Sequence, residues 1–350
     1  MPDQNDNSDP ELISEVHDGI GWITLNRPKA LNALSLGMIK DMRMALGLWA
    51  TDATLRAVVV RGIGGKAFCA GGDIRALYDA RKSGPVPTDF FREEYLLDSE
   101  IYHFPKPYIA LIDGITMGGG VGISAPAKYR IASDRTLWAM PETAIGMFPD
   151  VGGSYYLSRM PGAVGPYLGL TGHRLKAADA LAAGVATHFV PADLLPPFLR
   201  ALPGHTDKID LLLSSFASNP GTSELTAARP MIDDIFSLNS LEAIVLALQA
   251  QKTEWSQACL ETLARMSPTS LKLSLEAQKR AAGRSFDEVM KMEFRIVSRV
   301  LQKPDFFEGV RALLIDKDQA PKWSPSSLRD VTDAEIAAYF EPLPHGNLPL

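Results

Sequence analysis

Two glycine-rich turns, and a pair of acids that follows them, are the parts of this chain best suited to chemistry. The first turn is Ala67-Phe68-Cys69-Ala70-Gly71-Gly72-Asp73, and the second is Gly114-Ile115-Thr116-Met117-Gly118-Gly119-Gly120-Val121-Gly122. Pro141-Glu142 and Pro149-Asp150 come next. Glycine turns expose backbone N–H groups that no side chain shields. Two such turns brought together can clamp one oxygen as it gains negative charge, and nearby carboxylates can then manage a water or a proton. This set of parts suits reaction at an activated carbonyl.

The elements that must position these residues alternate in the front half. Leu12 to Val16 and Ile20 to Asn26 read as strands joined at His17-Asp18-Gly19. Met38, Ile39, Met42, Leu46 and Trp49 recur at helical spacing, which predicts an amphipathic helix over 37–50. Arg56 to Arg61 carries the apolar run Ala57-Val58-Val59-Val60, a buried strand. A helix is expected at 88–103 and strands at Tyr108–Ile112, Tyr129–Ala132 and Leu137–Met140. Strands alternating with helices imply an α/β core. From about residue 155 the patterns turn helical, with a Gly/Ser/Thr-rich joint at 219–228 and helices at 241–250, 255–266, 269–282 and 285–302. The expected organisation is a disordered tail at 1–10, an α/β core at 11–225 and a helical C-terminal region at 226–350.

Bulk properties narrow the function. The chain has 350 residues, 46% hydrophobic and 22% charged, with a net charge of −6 and dispersed basic residues. That is ordinary for a globular protein and gives no footing for nucleic acid. No apolar run approaches the ~18–20 residues needed to cross a bilayer, so no membrane partner is expected. Cys69 and Cys259 are far apart, which favours a reducing compartment. The acidic, polar start has neither a secretory nor a mitochondrial targeting pattern, and a cytoplasmic protein is expected.

Each candidate also has a plain structural explanation. Gly62-Ile63-Gly64-Gly65-Lys66-Ala67 and Gly120-Val121-Gly122-Ile123-Ser124-Ala125 match a dinucleotide-binding pattern. The first runs into Gly71-Gly72, a poor helix start, so the match is weak. The second turn could serve only close strand-to-helix packing. Glu142 could face the dipole of a helix that it begins, and Asp150 could cap the helix near Val151. Asp73 reads as an N-cap and Glu94 as part of a charged helix face. Cys69 has no base beside it in sequence, and the six histidines form no ligand cluster, so no metal is expected.

Taken together, the ordered motifs resemble the crotonase (enoyl-CoA hydratase/isomerase) superfamily. They are Asn26-Arg27-Pro28 with Leu31-Asn32-Ala33-Leu34, the turn Phe68 to Ile74, Gly114 through Gly122, and Pro141-Glu142. Phe91-Arg92-Glu93-Glu94-Tyr95, Phe148-Pro149-Asp150-Val151-Gly152-Gly153, Thr171 to Lys176, Glu308 to Ala312 and Asp316 to Trp323 are similar to the branch that hydrolyses 3-hydroxyacyl-CoA thioesters. The resemblance implies a spiral of ββα units with a helical C-terminal region, packed as a trimer or hexamer. It implies Gly72 and Gly119 as the oxyanion N–H donors, Glu142 and Asp150 as the acids of catalysis, and Glu94, Gly71 and Gly118 against the substrate. Coenzyme A would lie across the turns near Lys66, Ala70, Asp73 and Ile74, with Arg75 and Lys322 as further cations. No cofactor is implied, since coenzyme A arrives as part of the substrate. The expected substrate is a short branched 3-hydroxyacyl-CoA, 3-hydroxyisobutyryl-CoA of valine breakdown. A hydratase or isomerase of the same fold, or a non-catalytic acyl-CoA-binding protein, stands as the alternative. Hydratases carry a second glutamate where this chain has Gly122, and usually a glycine where it has Asp150; Ser154 replaces a glycine common in the hydrolase motif. Gly122→Glu in an Asp150→Gly background is expected to probe a latent hydratase.

Overall fold

The computed structural model describes residues 9–81, 88–344 and 346–350. Residues 1–8 of the expected tail lie outside the described residues. The strands among those described are β1 (Leu12–His17), β2 (Ile20–Leu25), β3 (Ala57–Gly62), β4 (Ala67–Cys69), β5 (Tyr108–Ile112), β6 (Ile115–Met117), β7 (Tyr129–Ala132), β8 (Leu137–Ala139) and β9 (His188–Phe189). A larger sheet has the order β1-β2-β3-β5-β7-β9, with β1 antiparallel to β2 and every other pairing parallel. A smaller sheet, β4-β6-β8, is parallel throughout. The chain steps from the larger sheet to the smaller three times, at β3/β4, β5/β6 and β7/β8. These steps build the α/β spiral of strand–strand–helix units that the resemblance implied.

The unbroken apolar run of β3 follows from two-sided burial. Val58, Val60, Ala110 and Ile112 face the main core, whereas Val59, Ile109, Leu111 and Ile131 face a second cluster. Helices Leu195–Ala201 and Ile209–Phe216 cover that second face through Leu195, Phe198, Leu212 and Leu213. On the inner side, helix Leu36–Thr51 is started by Ser35, whose hydroxyl accepts the Met38 N–H at 3.2 Å. It buries Met38, Ile39, Met42, Leu46 and Trp49, the stripe read from the sequence.

The C-terminal helices Leu241–Gln251, Glu254–Arg265, Pro268–Ala281 and Phe286–Val300 fall within two residues of their expected bounds. Their apolar faces join the core that holds Phe68 and Met140, through residues such as Leu263 and Phe294. Three expectations change. β4 and β6 are strands, although only glycine turns were read there; three residues are too short for a period to show. β9 interrupts the helical stretch as an edge strand beside β7. The joint expected at 219–228 ends early, because Ser223 caps helix Glu224–Phe236 by accepting the Thr226 N–H at 3.0 Å.

Close packing of the short helix Gly119–Gly122 on β4 depends on one missing side chain. A Cβ at Gly120 would lie 2.2 Å from the Cys69 carbonyl oxygen. Gly120→Ala is therefore expected to destabilise the protein by about 1–3 kcal/mol, the usual cost of overpacking. Urea denaturation measures this, and a variant as stable as the parent would reject it.

Candidate active site

The three strands of the smaller sheet end side by side, and each hands the chain to a candidate residue. β4 leads into Gly71 and Gly72, central β6 into Gly118 and Gly119, and β8 into Pro141 and Glu142. Gly71 and Gly118 adopt φ of 122° and 49°, which side chains rarely tolerate. The two turns touch. A Cβ on Gly118 would sit 3.3 Å from the Gly71 Cα and 3.6 Å from Glu142 Oε1. A Cβ on Gly119 would sit 3.4 Å from the Gly71 carbonyl carbon and 2.4 Å from Glu94 Oε1. Leu34 pairs with the first turn on both sides of Gly72, donating to Gly71 O and accepting from the Asp73 N–H, each at 2.9 Å. The Gly72 N–H thus points away from that pairing. The Gly119 N–H opens its helix, where no intrahelical acceptor exists.

Around these amides five acids are buried: Glu94, Asp98, Glu142, Asp150 and Glu293. Helix Asp89–Tyr102 supplies Glu94 and Asp98, one turn apart. Glu142 begins the 3-10 helix Glu142–Ile145, and Glu293 arrives from helix Phe286–Val300 of the C-terminal region. Tyr95 donates its hydroxyl hydrogen to Asp150 Oδ2 at 2.7 Å. Glu293 accepts the N–H groups of Gly152 at 2.7 Å and Ser154 at 2.9 Å. This corrects the reading of Asp150 as a cap. The helix runs Gly153–Leu157, its entry is held by the distant Glu293, and the Asp150 side chain turns to Tyr95. Glu94 Oε1 and both carboxyl oxygens of Asp98 and of Glu142 have no hydrogen-bond partner among the described residues. Asp98, Tyr95 and Glu293 were missed in the sequence. Asp98 could have been found as the residue one helical turn after Glu94; nothing local marks Glu293.

Burial sets the electrostatics. It pushes Glu142 well above the usual carboxylate range, and the Asp150 charge adds to this. Glu94 is raised in the same way, by burial first and Asp150 second. Asp150 is pushed up to about 7 by burial, with the Tyr95 hydrogen bond opposing. Glu293 rises to about 8, again mainly by burial. None of the five forms an ion pair with a cation among the described residues. The arrangement can therefore hold little negative charge at once. Cys69 is no nucleophile here: burial drives its thiol up to about 12.

The expected coenzyme A contacts lie along the first turn. Lys66 and Arg75 are exposed, while Ala70 and Ile74 are half-buried. The Asp73 carboxylate is occupied, accepting the Ala76 N–H at 3.2 Å and pairing with Arg27 at 2.8 Å. Lys322 is exposed and distant in sequence, and its backbone N–H donates to Glu308. An open cavity of about 440 Å³ lies elsewhere, between Trp22, Arg61, Arg135 and Leu195. The expectation for Gly122→Glu fails on packing: a Cβ there would stand 2.7 Å from Asp98 Oδ1 and 2.9 Å from the Val151 Cβ.

Comparison with known proteins agrees with this geometry. Residues 20–340 match the family model described as enoyl-CoA hydratase/isomerase. The chain is 49% identical to "3-hydroxyisobutyryl-CoA hydrolase, mitochondrial" of Xenopus tropicalis, over 94% of this chain and 88% of that protein. Among solved structures, a carnitinyl-CoA dehydratase from Mycobacterium thermoresistibile superposes with a TM-score of 0.92 at 39% identity, covering 97% of this chain and 98% of the other. An enoyl-CoA hydratase from Rhodobacter sphaeroides 2.4.1 gives 0.91 at 37% identity, covering 97% and 100%. The relative's name places that protein in mitochondria and lends no support to the cytoplasmic setting expected above. No helix among the described residues is long and apolar enough to cross a membrane.

A raised carboxyl group stabilises the fold most below its unfolded pKa of about 4, and that contribution is lost as pH rises through the folded value. The folded values are about 7 for Asp150 and about 8 for Glu293. Stability of the free protein is thus expected to fall steadily between about pH 5 and pH 8. Asp150→Asn should make that slope shallower and raise stability near pH 8 by about 1–3 kcal/mol. Thermal melts across pH check both, and an equal slope in the two proteins would overturn the assignment.

Proposed function

The chain belongs to the enoyl-CoA hydratase/isomerase family, and we propose that within it the chain hydrolyses 3-hydroxyisobutyryl-CoA to 3-hydroxyisobutyrate and coenzyme A, a step of valine breakdown. One observation carries the reading. The Glu142 carboxyl group rests against the glycine turn whose N–H would hold the carbonyl oxygen, with Asp150 in the same buried cluster and no acid at Gly122.

The thioester oxygen lies between the N–H groups of Gly72 and Gly119. Both hydrogen bonds strengthen as the carbonyl carbon becomes tetrahedral and the oxygen takes up charge. Glu142, in its ionised form, either removes a proton from the attacking water or attacks first to give an anhydride that water then opens. Asp150, steadied by Tyr95, orients that water or the substrate's 3-hydroxyl group. Glu94 holds the polar end of the acyl chain beside Gly71 and Gly118. When the tetrahedral centre collapses, the C–S bond breaks. The thiol, with a pKa of roughly 8–9 by analogy with cysteine, leaves without a strong acid. Coenzyme A runs over the first turn past Lys66, Ala70, Asp73 and Ile74. The chemistry calls for neither a metal nor a redox cofactor.

The likeness to a carnitinyl-CoA dehydratase and an enoyl-CoA hydratase favours a second reading, a hydratase or dehydratase. A thiol-release assay separates the two. Free thiol should appear with 3-hydroxyisobutyryl-CoA, without loss of the enoyl-thioester absorbance that marks hydration. Glu142→Gln is expected to lower the hydrolysis rate about 10²–10⁴-fold with the melting curve preserved; a rate near that of the parent would reject Glu142. We also propose a homo-oligomer, a trimer or hexamer, which light scattering would refute by reporting a monomer.

A further inference from the structure

One buried acid of the cluster has no part in the proposed reaction. Asp98 has 0% exposure, and both its carboxyl oxygens lack a hydrogen-bond partner among the described residues. It lies one helical turn after Glu94, the spacing that puts two side chains on one helix face. Its oxygens come 2.7 and 2.9 Å from where a Cβ on Gly122 would stand, and the Val151 Cβ is 2.9 Å from the same point. Asp98 therefore sits at the junction where Val151, of the turn that carries Asp150, meets the helix that begins with the Gly119 N–H.

Its surroundings decide its charge. The titratable groups facing it are Glu94 on its own helix, Asp150 on the neighbouring turn and Glu293 on helix Phe286–Val300. Tyr108 on β5 and Tyr156 on helix Gly153–Leu157 also feel it, and their buried hydroxyl groups are unpartnered too. Arg130 bears on Tyr156, not on Asp98, and is tied to the carbonyls of Ala127 and Val185. A carboxylate with no donor, facing three other acids, is untenable in a dry interior. A carboxylic acid is tenable there, because it carries no charge to strip of water and adds none to the three acids it faces.

We propose that Asp98 is a positioning residue that works as a neutral carboxylic acid, holding the Gly119–Gly122 helix and the Asp150 turn at their working separation. Loss of its proton would add a buried charge beside Glu94, Asp150 and Glu293, in a cluster that can hold few, and force that junction apart. The proposal rests on the acyl-transfer reading of this site, but its spectroscopic test does not depend on the substrate.

Asp98→Asn keeps the shape and supplies N–H donors without a titratable proton, whereas Asp98→Leu keeps the volume and removes hydrogen bonding. Thiol release by the parent is expected to decline at alkaline pH as Asp98 ionises; Asp98→Asn is expected to stay within about threefold of the parent near pH 7 and to lack that decline. Asp98→Leu is expected to lose about 10–100-fold in kcat with little change in KM, the usual effect of a slight misplacement of reacting groups. Difference infrared spectra of parent minus Asp98→Asn should show a protonated carboxyl C=O stretch, which can be read on the free protein even if the leucine variant fails to fold. The proposal is overturned if that band is missing, if Asp98→Asn is as impaired as Asp98→Leu, or if the asparagine variant keeps the alkaline decline. A parent that releases no thiol while the band is present would sink the hydrolase reading and leave the neutral Asp98 standing.

Discussion

Parallel pairing of three short strands is the constraint on which the site depends. β4, β6 and β8 are only three residues long each, yet their common register decides where the two glycine turns and the Glu142 carboxyl group end up. Met117 pairs with Ala139, so Gly118 and Met140 leave the sheet together, and Glu142 follows within two residues. A slip of one residue would move an end by about 3.3 Å and turn each side chain to the opposite face. The irregular pairing between Ala67 and Cys69 sits just before the first glycine turn, where such a bulge re-aims the chain. Gly120 then lets the second turn's helix lie directly on Cys69. The buried cysteine is thus packing behind the second glycine turn.

The second constraint is charge. Five carboxyl groups share a dry region, and no described cation offsets them. The donors on hand are few: the Tyr95 hydroxyl, the N–H groups of Gly152 and Ser154, and the free turn amides. Such a cluster survives by keeping most of its protons, a standing cost in stability of the kind that reactive sites carry. The C-terminal helices are part of this arrangement. Glu293 comes from one of them, and its neighbour Phe294 packs edge-on against Tyr95 at 6.3 Å, steadying the phenol that holds Asp150.

Much of this was legible in the sequence, and what was missed has physical causes. The helix stripe of Met38, Met42 and Leu46 and the run of β3 were readable because burial repeats with a fixed period. Gly71, Gly118 and Glu142 were readable because a turn that must approach an oxygen excludes side chains, which leaves a dense glycine pattern. β4 and β6 were hidden by their length. Asp150 was read as a site candidate and lies buried among the other acids, but its alternative role as a cap failed, because Glu293, some 140 residues away in sequence, already fills it. Long-range satisfaction of this kind leaves no trace in local spacing. Asp98 was passed over because a charged residue on a helix is ordinarily solvated; only its 0% exposure makes it unusual.

The last step concerns why one backbone can serve two reactions. Amides that hold a thioester oxygen stabilise charge there whether it arises from attack at the carbonyl carbon or from addition to a conjugated double bond. Backbone likeness to hydratases therefore reports the shared half of the chemistry. The other half is set by where acids can stand. Addition across a double bond requires water at one carbon and a proton at its neighbour, which in the hydratase pattern falls to two glutamates. At Gly122 the space for a second one is already filled by Asp98 and Val151. Hydrolysis requires water at the carbonyl carbon alone, beside the amides, where Glu142 lies against Gly118. The packing at residue 122 thus leaves no room for an acid there without displacing Asp98 or Val151, and on the hydrolase reading none is needed.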